Sequence, residues 1–239
     1  MRQDNTLCIK PIGYIRTDFP TKFGIPRQGG MIEELKAEIH FEKEYQIPDA
    51  FRGMEEYSHL WLLWGFSANV GAGWSPTVRP PRLGGNERKG VFATRSPFRP
   101  NPVGLSCVKL EKIGRQGEEI VLYVAGADLM DGTPVYDIKP YIPYVDSYPD
   151  AQESFTKQTR EYGLEVVVPD SVLDVIPVPK REALIKVLAM DPRPAYHQDE
   201  SRVYGMEFAG YDVRFKVKQE QLIVEQIVCL KVNQDKDSI

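Results

Sequence analysis

Histidine and cysteine are scarce in this chain of 239 residues, which contains three of each. Cys8, Cys107 and Cys229 are far apart, and no two of them have the spacing of a zinc knuckle or a CxxC motif. We therefore expect no metal site and no disulfide framework, and the odd, scattered cysteines favour a reducing compartment. A chain of this length can bury enough apolar surface to fold without either kind of cross-link.

Long apolar runs and one common nucleotide-binding motif are also missing. No window approaches the roughly 18 apolar residues that a membrane helix needs. The first ten residues, MRQDNTLCIK, lack the apolar core of a signal peptide, so we expect a cytoplasmic protein without membrane contact. No GxGxxG follows a predicted strand and opens a helix, which counts against a doubly wound nucleotide-binding fold.

The charge balance excludes a general attraction to nucleic acid, because the formal net charge is −4. One segment departs from this balance: between Arg79 and Arg99 the chain carries a single acid, Glu87. The basic residues of this segment are Arg79, Arg82, Arg88, Lys89, Arg95 and Arg99. Any RNA site must therefore be local, acting within a Debye length of roughly 8–10 Å.

Strand patterns dominate the first 150 residues. The predicted strands cover residues 11–17, 37–41, 59–66, 107–113, 120–125 and 135–144. The run 59–66 is apolar throughout, which suits a strand buried on both faces, although a buried helix of two turns has the same pattern. We predict a mainly β (α+β) protein whose strands form a closed or nearly closed barrel, with loops at its mouth building a site.

The chain changes character after a polar stretch at 150–163. Residues 180–190 have helical spacing, and Asp191-Pro192 ends the helix. Residues 213–217 alternate strictly between apolar and basic, and 222–232 complete a terminal hairpin. We therefore predict a β-barrel domain over 1–155 and a small α+β domain over 156–239. The second domain either adds contacts to a binding partner or acts as a stabilising cap, and the sequence leaves both open.

The segment 71–102 is crowded with Gly, Pro and Arg and has no sustained period. A loop this long is usually functional or disordered, and its composition is not that of a disordered segment. Three prolines between residues 97 and 102 fix φ, so the loop is stiff and can hold Arg95, Arg99 and Asn101 in set positions. These features favour a binding site over a solvated basic loop.

Four segments resemble the TsaA/TrmO-like family. They are PIGYIRT with KFGIPRQ, SHLWLLWGF, VRPPRLGGNERKGVFATRSPFRPNPVGLS, and DLMDGTPVYDIKPYIPYVDS. The likeness covers roughly the first 150 residues and extends more thinly to DPRPAY at 191–196. It implies a single-sheet β-barrel that binds S-adenosylmethionine, acts as a homodimer and methylates N6 of N6-threonylcarbamoyladenosine beside the tRNA anticodon.

The resemblance also implies which loops bind the cofactor. Its candidate cofactor-binding residues are Arg27, Gln28, Gly29, Gly30, Arg95, Leu105, Asp128, Leu129, Met130 and Asp131. The residue types fit this role, since glycines let backbone N–H groups approach a ligand and Arg27 offers a rigid fork for a carboxylate. A plain turn at 26–30 and an ordinary Asp131-Gly132 hairpin turn are the structural alternatives.

Catalytic and tRNA-binding candidates come from the same segments. The candidate tRNA contacts are Arg79, Arg82, Arg88, Lys89 and Arg99, and the candidate catalytic residues are Asp137, Tyr141 and Asn101. Methyl transfer needs in-line placement of the nucleophile and removal of one proton. On a strand Asp137, Lys139 and Tyr141 share one face, which we interpret as a catalytic face at the barrel mouth. A solvated face, or a structural ion pair at Asp137, is the alternative.

Two other functions are compatible with the residues. A non-catalytic tRNA- or ligand-binding barrel would need only aromatic stacking and a basic groove. A methyltransferase acting on a small molecule is less attractive, because the basic run and the added C-terminal region would have no purpose. The prediction is therefore a tRNA (N6-adenosine) methyltransferase.

Overall fold

The computed structural model describes residues 6–80, 87–152, 162–194 and 199–230. The strands are β1 Gly13–Arg16, β2 Lys36–Phe41, β3 His59–Gly65, β4 Thr77–Val78, β5 Lys89–Gly90, β6 Val103–Gln116, β7 Glu119–Ala125, β8 Pro134–Pro140, β9 Glu165–Val167, β10 Tyr204–Phe208, β11 Tyr211–Lys218 and β12 Gln221–Cys229. The α-helices are α1 Pro143–Asp146, α2 Asp170–Leu173 and α3 Val178–Ala189. Short 3-10 helices cover Lys43–Tyr45, Pro48–Phe51, Met54–Glu56, Ser67–Asn69 and Val91–Ala93. Within these described ranges, no helix is long and apolar enough to span a bilayer.

Six antiparallel strands form one sheet in the order β1-β2-β7-β6-β3-β8. Because β1 pairs with β2 on one side and with β8 on the other, the sheet closes on itself. The long strand β6 links two parts of the sheet, since residues 103–109 pair with β3 and residues 109–116 pair with β7. The predicted mainly β class is confirmed.

The interior of this sheet is filled by side chains at alternating strand positions. Leu60, Leu62 and Trp64 of β3 point inward together with Val108 of β6 and Val135 of β8. Such period-2 alternation is what one buried face of a strand requires. The predicted strand at 59–66 is therefore confirmed and the alternative of a buried helix is wrong, but burial on both faces is also wrong, because His59, Trp61 and Leu63 are only half-buried.

The pattern at 135–144 predicted one continuous strand, and this prediction is wrong beyond residue 140. The strand β8 ends at Pro140, and the helix α1 follows. Proline lacks an N–H donor, so Pro140 and Pro143 cannot continue the hydrogen-bond ladder. The Asp146 carboxylate then holds the helical turn by accepting the Ile142 N–H at 2.8 Å.

A second core lies in the C-terminal part of the chain. Its sheet has the order β10-β11-β12-β9, with β9 parallel to β12, and α3 buries one apolar stripe against it. The predicted helix at 180–190 and the terminal hairpin β11–β12 are confirmed. The predicted boundary at 155/156 falls within 153–161, outside the described residues.

The segment 18–35 packs on this second core although it precedes most of the first sheet in the chain. Phe19, Ile32 and Leu35 are buried there, and the ring of Phe19 lies 5.5 Å from that of Phe208. Two ion pairs tie the same segment to α3: Lys180 with Asp18 at 2.5 Å, and Lys186 with Glu34 at 2.5 Å. The loop at 26–30 is consequently held at both of its ends by C-terminal residues.

Candidate active site

Gly29 and Gly30 bring backbone against the end of the closed sheet. A Cβ atom on Gly29 would lie 3.1 Å from Asp128 Oδ1 and 3.1 Å from the carbonyl oxygen of Cys107, tighter than ordinary contacts. Gly30 has φ of +78° and donates its N–H to the Gly126 carbonyl at 2.8 Å. The positive φ at Gly30 favours glycine and the close packing at Gly29 favours a residue without a side chain, so the loop is more than a plain surface turn.

A chain of buried hydrogen bonds fixes the carboxylate of Asp128. Trp64 Nε1 donates to Ser106 Oγ at 2.9 Å, and that hydroxyl donates to Asp128 Oδ1 at 2.5 Å. Burial raises the pKa of Asp128, against the opposing effects of the Ser106 hydroxyl, the Gly29 backbone N–H and the positive charge of Arg95. A half-buried carboxylate with one oxygen so oriented is suited to bind hydroxyl or ammonium groups of a ligand.

Ser106 and Trp64 were not among the predicted site residues. Ser106 is the last residue of the family-like segment and the one polar side chain among the inward positions Gly104, Ser106 and Val108 of β6. This polar residue among apolar inward positions was the sequence signal that could have identified Ser106 as a site residue. Trp64 was interpreted only as a core residue, and its indole N–H has a polar partner inside the sheet.

Arg95 connects the basic segment to the glycine loop. Its guanidinium donates to the side-chain oxygen of Gln28, and its charge acts on Asp128. The structure thus brings together five of the predicted cofactor residues, namely Gln28, Gly29, Gly30, Arg95 and Asp128, from three distant parts of the chain.

The remaining predicted cofactor residues have different surroundings, and Arg27 lines a cavity with Val187, Met190 and Asp191. Leu129 is buried in the first core, and Met130 is half-buried beside it. Asp131 accepts the Thr17 N–H at 3.0 Å and a hydrogen bond from Arg16 at 3.4 Å, so its carboxylate fixes the end of β1. Leu105 is 51% exposed and lies on the opposite side of β6 from Ser106.

Asp137, Lys139 and Tyr141 share the outer face of the closed sheet. Asp137 pairs with Leu63 of β3, and Lys139 pairs with Trp61. Because the alternating β3 residues Leu60, Leu62 and Trp64 point inward, Leu63, Trp61 and their partners on β8 point outward. Asp137 pairs with Lys139 at 2.8 Å and accepts the Ile138 N–H at 2.9 Å. The Tyr141 ring lies 5.6 Å from that of Trp61. The common face is confirmed, and the catalytic role of these residues remains a prediction.

The basic segment is folded where the structure describes it. Arg99 donates to the carbonyls of Thr94 at 3.0 Å and Ser96 at 3.3 Å, and Arg88 donates to Thr77 Oγ1 at 3.2 Å. These bonds agree with the predicted stiffness.

The other predicted residues of the segment have varied surroundings. Lys89 pairs with Glu87 at 2.5 Å, whereas Arg79 and Asn101 are exposed. Arg82 lies outside the described residues. Across the described residues, no cluster of three or more His, Cys, Asp or Glu side chains could hold a metal ion.

Comparison with known proteins places this arrangement in a family. Residues 14–147 match the family described as the tRNA-methyltransferase O N-terminal domain, and residues 176–229 match the TrmO C-terminal domain. A tRNA (adenine(37)-N6)-methyltransferase of Escherichia coli K12 is 42% identical over 86% of this chain and 91% of its own. Another enzyme of that name, from Eikenella corrodens, is 46% identical over 73% of this chain and 99% of its own.

A solved structure agrees with these relatives. The crystal structure of TrmO from P. aeruginosa superposes with a TM-score of 0.76 at 32% identity, covering 96% of this chain and all of the other. The matched domains and relatives define a class of tRNA methyltransferases. Within that class, the chain belongs to the TrmO family.

Proposed function

We propose that this protein uses S-adenosylmethionine to methylate N6 of adenosine 37 in tRNA, acting on the base that carries an N6-threonylcarbamoyl group. The family supports the cofactor and the reaction. The observation that carries the proposal is the meeting of Gly29, Arg95 and Asp128 at one end of the closed sheet.

The residues at this end fit the cofactor. S-adenosylmethionine carries a carboxylate, an ammonium group, ribose hydroxyls and an adenine, and supplies an activated methyl group when bound. Arg95 offers guanidinium donors for the carboxylate, and Asp128 offers acceptors for hydroxyl or ammonium hydrogens. The close packing of Gly29 against Asp128 and Cys107 holds this loop beside the carboxylate.

The substrate base suits the remaining candidates. Its N6 is flanked by a carbonyl and the purine ring, so its proton is more acidic than that of adenosine and a carboxylate or phenol can assist its removal. Asp137 is our first candidate for that step, with Tyr141 and Asn101 as further candidates. The carboxylate of the threonyl substituent suits Arg99. The base lies in a single-stranded loop, so flipping from a duplex is not required.

Three structural statements accompany this function. The cyclic strand pairing supports a single-sheet β-barrel, the exposed basic residues support tRNA binding, and the tRNA-modifying relatives support a cytoplasmic protein. A homodimer is supported by the exposed apolar side chains of Val103, Leu105 and Val145 on or beside the outer face of β6, β3 and β8. Light scattering on the purified protein tests the dimer, and a monomer at micromolar concentration would reject it.

Nucleoside mass spectrometry of tRNA tests the function in cells. Deleting the gene should remove the methyl group from N6-methyl-threonylcarbamoyladenosine and leave the unmethylated form, and the plasmid-borne gene should restore it. The alternative, a non-catalytic binding module, predicts unchanged nucleosides and no heat in a titration with S-adenosylmethionine.

A further inference from the structure

Three large aromatic side chains are exposed in the loop 71–102, which contains the basic segment. Trp74, Phe92 and Phe98 are 57%, 76% and 40% accessible to solvent. They accompany the basic side chains of Arg79, Arg88 and Lys89. Exposed aromatics grouped with positive charge are the composition that single-stranded nucleic acid binding uses, because every base has a face on which a ring can stack.

A framework of backbone hydrogen bonds holds these aromatic residues near one another. The Ser75 N–H donates to the Phe98 carbonyl at 3.1 Å, which places Trp74 next to Phe98. The Val91 N–H donates to the Pro76 carbonyl at 3.0 Å, and Val91 is buried while its neighbour Phe92 is exposed. The aromatic residues are therefore exposed on an ordered support, which reduces the entropy lost on binding.

The same segment contacts the glycine loop at 26–30. Arg95 lies midway in sequence between Phe92 and Phe98, and its guanidinium bonds to Gln28. A nucleotide chain whose target base reaches the site near Gln28 would pass its neighbouring bases along the aromatic residues.

We propose that Trp74, Phe92 and Phe98 form a stacking surface for the unpaired bases that flank the target adenosine in the tRNA loop. This inference rests on the proposed function, since it assumes that tRNA is the substrate. The local charge argues for RNA as the occupant, because an anionic backbone complements Arg79, Arg88 and Lys89. A second copy of the chain, with its net charge of −4, offers no comparable anionic polymer.

The experiment compares leucine and tyrosine replacements, because both keep apolar bulk and only tyrosine keeps a ring. Binding of an anticodon stem-loop RNA is measured by fluorescence anisotropy for Phe92→Leu, Phe98→Leu, Trp74→Leu and Phe92→Tyr. The matched control is Tyr57→Leu, which removes an aromatic ring of 42% exposure outside the basic segment. S-adenosylmethionine affinity and molar mass are measured on the same samples.

Each leucine variant should bind the RNA roughly five- to a hundredfold more weakly, the range for loss of one stacked base. Phe92→Tyr and Tyr57→Leu should bind nearly as the wild type does. Unchanged RNA affinity in the leucine variants overturns the proposal. A change in molar mass without a loss of RNA affinity also overturns the proposal, because it identifies a second copy of the chain as the occupant. A matching loss of cofactor affinity overturns it too, because it identifies the cofactor's adenine as the group that stacks on these rings.

Methylation of full-length tRNA by the wild type is assayed in parallel. If the wild type transfers no methyl group, the proposed function fails, while the RNA-binding comparison still decides whether the aromatic residues stack on bases.

Discussion

Arg95 contacts the candidate cofactor site through two separate interactions, one with Gln28 and one with Asp128. We predict that Arg95→Ala weakens S-adenosylmethionine binding by about tenfold or more, because a hydrogen bond to a charged group is worth about 1.5–3 kcal/mol. Isothermal titration calorimetry measures this loss.

The matched control is Arg79→Ala, which removes an exposed arginine of the same basic segment. It should leave cofactor affinity unchanged and weaken tRNA binding, with a smaller salt dependence than the wild type has. Equal losses of cofactor affinity in the two variants would contradict this division of roles.

Asp137 has two competing roles on the outer face, that of a general base and that of a partner for Lys139. We predict that Asp137→Asn lowers single-turnover methylation by ~10²–10⁴-fold and leaves cofactor affinity almost intact, as loss of a general base does. Near-native turnover would reject the base assignment and favour Tyr141. If turnover and cofactor affinity fall together, Asp137 supports the site structurally.

The family resemblance, with which the residue types agree, predicted part of the site. The glycines at 29 and 30 and the acid at 128 were recognisable from their segments, and the structure brings them together. The link from Trp64 through Ser106 to Asp128 was not predictable, because it joins residues 42 and 22 positions apart through sheet pairing. Periodicity reports which face a residue lies on and carries no information about such distant partners.

At the level of elements, the turn after α3 contains a nearly buried ion pair. Arg193 Nε lies 2.8 Å from Asp191 Oδ1, and the Tyr162 hydroxyl donates to Oδ2 of the same carboxylate at 2.8 Å. Burial alone would raise the pKa of Asp191, but the hydrogen bonds from Arg193 and Tyr162 outweigh it, so the pKa lies below its ordinary value of 3.8.

We predict that Arg193→Met lowers the free energy of unfolding by about 3 kcal/mol at neutral pH, since it leaves a buried carboxylate unpaired. A carboxyl group whose pKa is lower in the folded state stabilises the fold at pH values above its unfolded-state pKa. This stabilisation is lost as the pH falls through its folded-state pKa. The difference between wild type and variant should therefore shrink below pH 3.8. Urea unfolding of both proteins at neutral and acidic pH measures this difference in unfolding free energy.

The matched control is Arg214→Met, which breaks a pair with Asp212 of nearly the same length, 2.9 Å, in which the arginine is 55% exposed. A surface pair contributes at most about 1 kcal/mol, so this variant should be nearly neutral. Similar losses of unfolding free energy in both variants would show that the buried Asp191 pair does not cause the destabilisation. A difference between wild type and Arg193→Met that stays the same at acidic pH would show this too.

Elements with a clear period were predicted well, and elements fixed by local chemistry were not. The strand β11 and the helix α3 follow apolar alternation and helical spacing, and both are where the pattern indicates. The helix α1 was missed because its four residues depend on two prolines and on the hydrogen bond from the Ile142 N–H to the Asp146 carboxylate, features that a β-rich composition hides. Its tyrosine and valine residues have strand propensity, which the local bonds override.

The whole molecule has two cores, and the chain crosses between them earlier than its sequence indicates. Phe19, Ile32 and Leu35 join the C-terminal core although the first sheet continues for another hundred residues. No period marks the segment 18–35, because its apolar residues are spaced irregularly along a loop. The C-terminal part therefore supports the glycine loop of the site, which favours the cap among the two roles that the sequence left open.

The most direct measurement of the central claim is methyl transfer by the purified protein to threonylcarbamoylated tRNA, with the product mapped by nucleoside mass spectrometry. With S-adenosylmethionine present, we predict one methyl group on N6 of the adenosine at position 37, the position named for the Escherichia coli relative. Arg95→Ala should need a higher cofactor concentration to reach the same rate. Transfer to another nucleoside, or no transfer at saturating cofactor and tRNA, would contradict the account.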